Sequence, residues 1–266
     1  MNDLVAYVNG IGVRGGGLSD WLEAEAVLSG QRPYVHADTA LPAPGCLPPT
    51  ERRRTGRVVR LALAVGLEAV RHADADPARL PVVFASSDGD GDNCNEICQT
   101  LASPNRALSP TRFHNSVHNA PAGYWSIAAG TQVASTTVCA HDASFCAGLV
   151  ETLAQTVVGG IETALVAYDL DYPPPLRAAR PIPAAFGLAL VLHPSPGRHA
   201  LARLAVRIDT GAPDRCVHPE LDALRGSIPA AQGLVLLEAI ALRKPTTVNI
   251  NYLEPETLRI EVTPCV

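Results

Sequence analysis

The sequence predicts a layered α/β fold, and three observations predict it. Runs of β-branched and apolar residues alternate with segments whose apolar residues recur at helical spacing. The order is strand–helix up to about residue 170, then strand, strand, helix, strand, strand, as in layered α/β proteins. Third, residues 133–160 join both kinds of segment across one tight corner. Val133 to Val138 is a β-branched run that suits a buried strand, and Cys139-Ala140-His141-Asp142 is a small-residue corner. Phe145, Leu149, Leu153 and Val157 then follow at helical spacing, with Asp142 placed as N-cap and Gly159-Gly160 as the stop. Thr163 to Ala167 is the next strand, so this unit predicts parallel strand neighbours joined by one helix.

The corner has the form of an active site. Free N–H groups at a helix start lower a thiol pKa or hold an oxyanion. Its apex, however, is Asp142, and a carboxylate there is a good cap and a poor acyl-transfer nucleophile. Nucleophilic side chains lie close by at Cys139, Ser144 and Cys146, and an acyltransferase or priming enzyme using one of them is the alternative reading.

The 266 residues suffice for one large core or two intimate halves, divided here as 1–170 and 171–266. A formal charge of -5 speaks against nucleic acid or an anionic membrane surface as partner. Seven cysteines without framework spacing are expected to be free thiols in a reducing cytosol. No secretory leader is legible, and the longest apolar run, Ala184 to Leu192, is too short to span a bilayer. A cytoplasmic protein with neither cofactor nor metal is expected.

Taken in order, Leu4 to Ile11 alternates as a strand that meets the turn Gly15-Gly16-Gly17. Gly10-Ile11-Gly12 lacks the third glycine and acidic partner of a dinucleotide site. Ser19 is the expected cap of a helix over 20–28, and 33–49 is a Pro-rich loop. Residues 50–55 lead into a long helix with Val58, Leu61, Ala62, Val65, Ala69 and Val70 on one face, and Arg52 to Arg54 read as a solvated or ion-pairing face. Pro81 to Ala85 is a strand. The acidic run Asp88 to Glu96 lacks the glycine and late glutamate of a calcium loop and reads as a helix-capping turn. Cys94 and Cys98 share a helix face without a second ligand pair for zinc. His114 and His118 are four apart without the glutamate a zinc protease needs, while Asn115, Ser116, His118 and Asn119 can satisfy buried backbone. A helix is expected over 121–129, a long loop over 170–183, strands at 184–192, 201–208, 246–250 and 258–262, and a helix over 228–242.

Four of these stretches, in this order, resemble the β-ketoacyl synthases of the thiolase fold. They are Pro81 to Ser87, Ser109-Pro110 through Gly123, the corner Ala134 to Leu149, and Ala230 to Ala239. The resemblance covers most of 1–170 and is patchy beyond. It implies a layered αβαβα thiolase-like fold with a shortened C-terminal half. It also implies that the family's cysteine nucleophile falls on Asp142 and its second catalytic histidine near Ser227, with the first histidine's segment deleted between Ile208 and Ser227. The likeness is greatest to truncated chain-length-factor proteins of aryl polyene and xanthomonadin-type pigment clusters. That implies a non-catalytic subunit forming a heterodimer with a cognate β-ketoacyl synthase and meeting an acyl carrier protein through that complex. In the family the strand before the corner pairs across the twofold. Ser135, Thr136 and Thr137 are then interface candidates, and Phe113, His114, Asn115, His118, Asn119, His141 and Phe145 are tunnel or interface candidates. An assembly protein with no tunnel role is the third reading.

Overall fold

The computed structural model describes residues 3–265. In chain order the elements are β1 (Leu4–Gly15), α1 (Trp21–Leu28), α2 (Pro49–Arg54), α3 (Arg57–Ala73), β2 (Val82–Ala85), α4 (Gly91–Ala102), α5 (Pro110–His114), α6 (Ala120–Ala129) and β3 (Ser135–Val138). There follow α7 (Ser144–Gly159), β4 (Thr163–Asp169), α8 (Pro174–Ala179), β5 (Phe186–His193), β6 (Ala202–Asp209), α9 (Pro219–Ser227), α10 (Leu234–Ala241), β7 (Thr246–Asn251) and β8 (Thr257–Pro264).

All eight strands form one sheet in the order β3-β2-β4-β5-β1-β6-β8-β7, with β3, β2 and β4 parallel and the rest antiparallel. The long first strand bridges the halves: Tyr7 to Gly15 pair with β5, and Leu4 to Val8 pair with β6. The division at residue 170 thus runs between the paired strands β4 and β5.

Strand alternation explains the packing. Val83, Ala85, Leu165, Ala167, Leu188 and Leu190 face a core layer under α1, α7 and α10. Their neighbours Val82, Phe84, Ala164, Val166, Ala189 and Val191 face a second layer under α3 and α6, which holds Leu61, Val65 and Trp125. Strands covered on both faces read as continuous apolar runs, which is why 184–192 shows no polar alternation. The Gly-x-Gly of β1 is a packing device. A Cβ on Gly10 would stand 2.1 Å from the Ala69 carbonyl oxygen, and one on Gly12 2.1 Å from that of Val65. Only hydrogen lets β1 lie this close to α3.

The chain after β5 contributes β6, β8 and β7. Their inner residues Leu204, Val206, Ile260, Val262 and Val248 join the first layer. The outer face carries a ladder of charge instead, with Arg207–Glu261 at 3.4 Å and Arg259 near both Glu261 (3.9 Å) and Asp209 (4.0 Å).

Several local expectations are corrected. β3 is a four-residue sheet edge, exposed or half-buried throughout, and it pairs with β2 rather than with β4. The cap of α1 is Asp20, whose carboxylate accepts the Glu23 N–H at 2.9 Å, and not Ser19. The stretch 50–55 that leads into the long helix α3 itself holds the short helix α2, and the two are separated where Thr55 turns extended before Gly56. The loop 170–183 contains α8, whose first turn takes Pro174 and Pro175 because that turn needs no N–H donors. Between Ile208 and Ser227 the chain forms the additional helix α9, and 228–242 divides into a 3-10 turn over Pro229–Gly233 and α10. The acidic run is a capping turn as expected: Asp90 accepts the Asn93 N–H at 3.0 Å at the start of α4.

Candidate functional site at the corner before α7

The corner is strained at its turning point. After β3 the chain enters a 3-10 turn, His141–Ala143, in which His141 takes φ 52°, a left-handed conformation that disfavours side chains. Ser144 holds the turn closed. Its hydroxyl accepts the Ala140 N–H at 3.0 Å and donates to the His141 carbonyl at 2.7 Å, and the residue is buried. The N-cap expected at Asp142 is therefore absent: the helix begins after Ala143 with no side-chain cap, and the Asp142 carboxylate points outward, 64% exposed.

That carboxylate is ion-paired with the Arg180 guanidinium and lies 3.3 Å from His141 Nδ1. Arg180 is positioned in turn by Tyr172, donating to its hydroxyl at 3.1 Å with the guanidinium 5.8 Å from the ring centroid. The Asp142 carbonyl accepts Gln232 Nε2 at 2.9 Å. Across a cleft of about 630 Å³, lined by His141, Asp142, Arg180, Ser227, Gln232 and Tyr252 among others, stands the second position singled out by the resemblance. The Ser227 hydroxyl there donates back to the Ala223 carbonyl at 2.8 Å. The two expected catalytic positions thus converge on one cleft, and neither carries a thiol or an imidazole.

The alternative nucleophiles fare differently. Cys146 is fully buried, and burial drives its thiol pKa far up. Ser144 is engaged in holding the turn. Cys139 is exposed, with its thiol directed at the Ser87 carbonyl at 3.4 Å.

Two residues that sequence reasoning passed over organise the site. One is Arg180, in the Pro-rich stretch after β4. The other is Asp169, at the end of β4, which accepts the Ser87 N–H (2.8 Å), the Ser87 hydroxyl (2.7 Å) and the Ala230 N–H (2.8 Å). It ties the ends of β2 and β4 to the 229–233 turn, and burial pushes its carboxyl up to about 6. A charge closing an otherwise apolar strand was the signal for it.

A second surface gathers other candidates. Phe113, His114 and Asn119 line an apolar cleft of about 590 Å³ with Val117, Tyr124 and Ile127, and Phe113 is 68% exposed. Asn115 satisfies backbone as expected, donating to the Arg54 carbonyl at 2.8 Å and accepting the Tyr124 hydroxyl at 3.1 Å. His118 lies against Gly89 with its Nε2 buried and unpartnered. α6, which forms one wall of this cleft, also packs against β3, where Ser135, Thr136 and Thr137 form the free sheet edge. Phe145 lines neither cleft: it is fully buried beside Gly233. Among the described residues no group of three or more His, Cys, Asp or Glu is set to hold a metal, and no helix is long and apolar enough to cross a membrane.

These features define a thiolase-like α/β protein whose corner before α7 presents a salt-bridged carboxylate. Residues 27–233, well over half of the chain, match the family model described as "Beta-ketoacyl synthase, N-terminal domain", and the chain belongs to that family. Among solved structures it is similar to a ketosynthase (ApeO) in complex with its chain length factor (ApeC) from Xenorhabdus doucetiae, at 22% identity and TM-score 0.72, covering 97% of this chain and 99% of that one. It is similar also to the ishigamide ketosynthase/chain length factor, at 15% identity and TM-score 0.72, covering 98% and 100%. A type II polyketide acyl carrier protein in complex with its ketosynthase, AntDE:AntF, matches at 10% identity and TM-score 0.75 over the full length of both chains. At these identities the likeness is one of fold. No curated protein matches the chain.

Proposed function

We propose that the chain is a non-catalytic ketosynthase-like subunit of the chain-length-factor type. It pairs with an active β-ketoacyl synthase and shapes that enzyme's acyl tunnel in polyketide, aryl polyene or related fatty-acid-type biosynthesis. One observation carries the reading: Asp142, neutralised by Arg180, occupies the corner apex opposite Ser227. Decarboxylative condensation needs a thiolate to carry the acyl chain and donors to stabilise the enolate. A carboxylate in an ion pair does neither.

The free edge of β3 and the apolar cleft at Phe113 support the partner role. An unpaired strand edge and exposed apolar side chains on adjoining elements suit association with a related chain. The family match and the fold shared with ketosynthase/chain length factor complexes support the identity of that partner, and an acyl carrier protein would be met through the same complex.

Co-expression with a candidate partner β-ketoacyl synthase tests the proposal. The expected result is a one-to-one complex whose product length shifts when Phe113 is narrowed to Leu or widened to Trp. A complex that forms while product length stays fixed in both variants would leave an assembly role and remove the tunnel role.

A further inference from the structure

On the outward side of α3, Arg60, Ala64, Leu67 and Arg71 fall at i, i+4, i+7 and i+11, one stripe turned from the sheet. Together with Arg14 of β1 and the loop Pro42–Cys46 they line a cleft of about 300 Å³. Among the described residues none of these three guanidiniums lies in an ion pair. The contrast with a second arginine-bearing cleft is direct: there Arg54, Arg57 and Arg112 are paired with Glu51, with Asp92 and Asp171, and with Glu96.

The contacts that the three do make are weak and neutral. Arg14 reaches the Ala40 carbonyl at 3.5 Å, and its Nε is buried without a partner. Arg60 reaches the Thr55 hydroxyl at 3.4 Å. The carboxylate facing Arg14 is Glu68, which already accepts the N–H groups of Trp21 at 2.5 Å and Val13 at 3.3 Å. Burial lifts that carboxyl to about 7, so near neutral pH it offsets Arg14 only in part.

We propose that this cleft binds a phosphate-bearing small molecule, with Arg14, Arg60 and Arg71 as its anion-holding residues and Ala64 and Leu67 as an apolar floor. Arginine stays charged at all working pH values, and its planar fork matches phosphate oxygens. Arg60 and Arg71 stand three helical turns apart, a rise of about 16 Å that the reach of two arginine side chains shortens, so the ligand carries a diphosphate group rather than a single free phosphate. The volume is at the small end of ligand pockets. This site lies on the outer layer and has no part in the subunit role proposed above.

The test is calorimetric titration of the whole chain with inorganic pyrophosphate at constant ionic strength. The comparison is with R60A, R71A and the control R53A, which alters an exposed arginine outside the cleft. Alanine favours the helix at positions 60 and 71, so both variants are expected to fold, as circular dichroism will show. Saturable one-to-one binding is expected, weakened about tenfold or more in R60A and in R71A and unchanged in R53A. Absence of saturable binding in the millimolar range overturns the proposal. So does binding that survives either cleft substitution within about twofold, or an equal loss in R53A. Because ketosynthase association is read separately, a chain that binds pyrophosphate but no ketosynthase, or the reverse, distinguishes this proposal from the subunit reading.

Discussion

Arg180 holds the carboxylate of Asp142 at the mouth of the corner, and Tyr172 holds Arg180 from behind. A group that would have to be free to react is instead one member of an ion pair. On the proposed reading, placing sulfur there alone should not create condensing chemistry, because Ser227 across the cleft carries no imidazole to assist it. The variant D142C is expected to leave malonyl-thioester decarboxylation and condensation at background, read by product chromatography. Turnover within about a hundredfold of an active ketosynthase would contradict this.

Asp169 carries a pH signature. Its folded-state carboxyl is raised to about 6 from an ordinary 3.8, so the folded chain binds the proton more tightly than the unfolded one. The stability contributed is full below about pH 4 and is lost as pH rises through about 6. Relative to wild type, D169N is expected to flatten the fall in unfolding free energy across that window by up to one proton's worth. Any cost of D169N should be greatest near pH 4 and shrink toward neutral pH, where wild type has itself lost that contribution. Denaturant unfolding from pH 4 to 8 measures both, and parallel curves for the two proteins would refute the assignment.

The apposition of β1 and α3 is expected to tolerate no side chain at Gly12. With a Cβ forced to 2.1 Å from a helix carbonyl, G12A should destabilise by about 3 kcal/mol or more, lowering Tm by roughly 6–12 °C. A shift under about 2 °C would show that the two elements separate easily.

Thiol accessibility divides the cysteines. Cys139, Cys46, Cys94 and Cys98 are exposed, whereas Cys146 and Cys216 are buried and their thiols are pushed up, that of Cys216 to about 12. Alkylation followed by peptide mapping is expected to label the first four in the native protein and Cys146 and Cys216 only on unfolding. Rapid native labelling of Cys146 would reopen it as a nucleophile.

At the apolar cleft, F113D is expected to change the stability of the isolated chain by no more than about 0.5 kcal/mol, since the side chain is already in solvent. It should weaken ketosynthase binding by at least about tenfold, measured by surface plasmon resonance. Equal affinity for the two chains would place the interface elsewhere.

Most of the layered fold was legible because a strand buried on both faces, such as 186–193, and an amphipathic helix such as α3 each leave a strong pattern. What escaped were features set by tertiary context. β3 carries the β-branched residues of a buried strand, yet it ends as a half-exposed edge, because sheet order, not local propensity, decides which strand has a neighbour. Asp142 satisfied every local rule for a cap, yet a cation 38 residues away competes for its carboxylate. Phe145 and Phe113 look alike as candidates in one dimension. One is sealed beside Gly233 and the other stands in solvent. The corner itself was readable because strand, small residues and helix are contiguous. Its supports, Asp169 and Arg180, were not, because they reach it from distant segments.

The most direct test of the central claim is intact-protein mass spectrometry of the chain, alone and in complex with its ketosynthase, after incubation with an acyl thioester. The account predicts that the acyl mass is found on the partner and never on this chain. An acyl adduct on this chain at stoichiometric yield, mapped to Cys139 or any other residue of the corner, would contradict it.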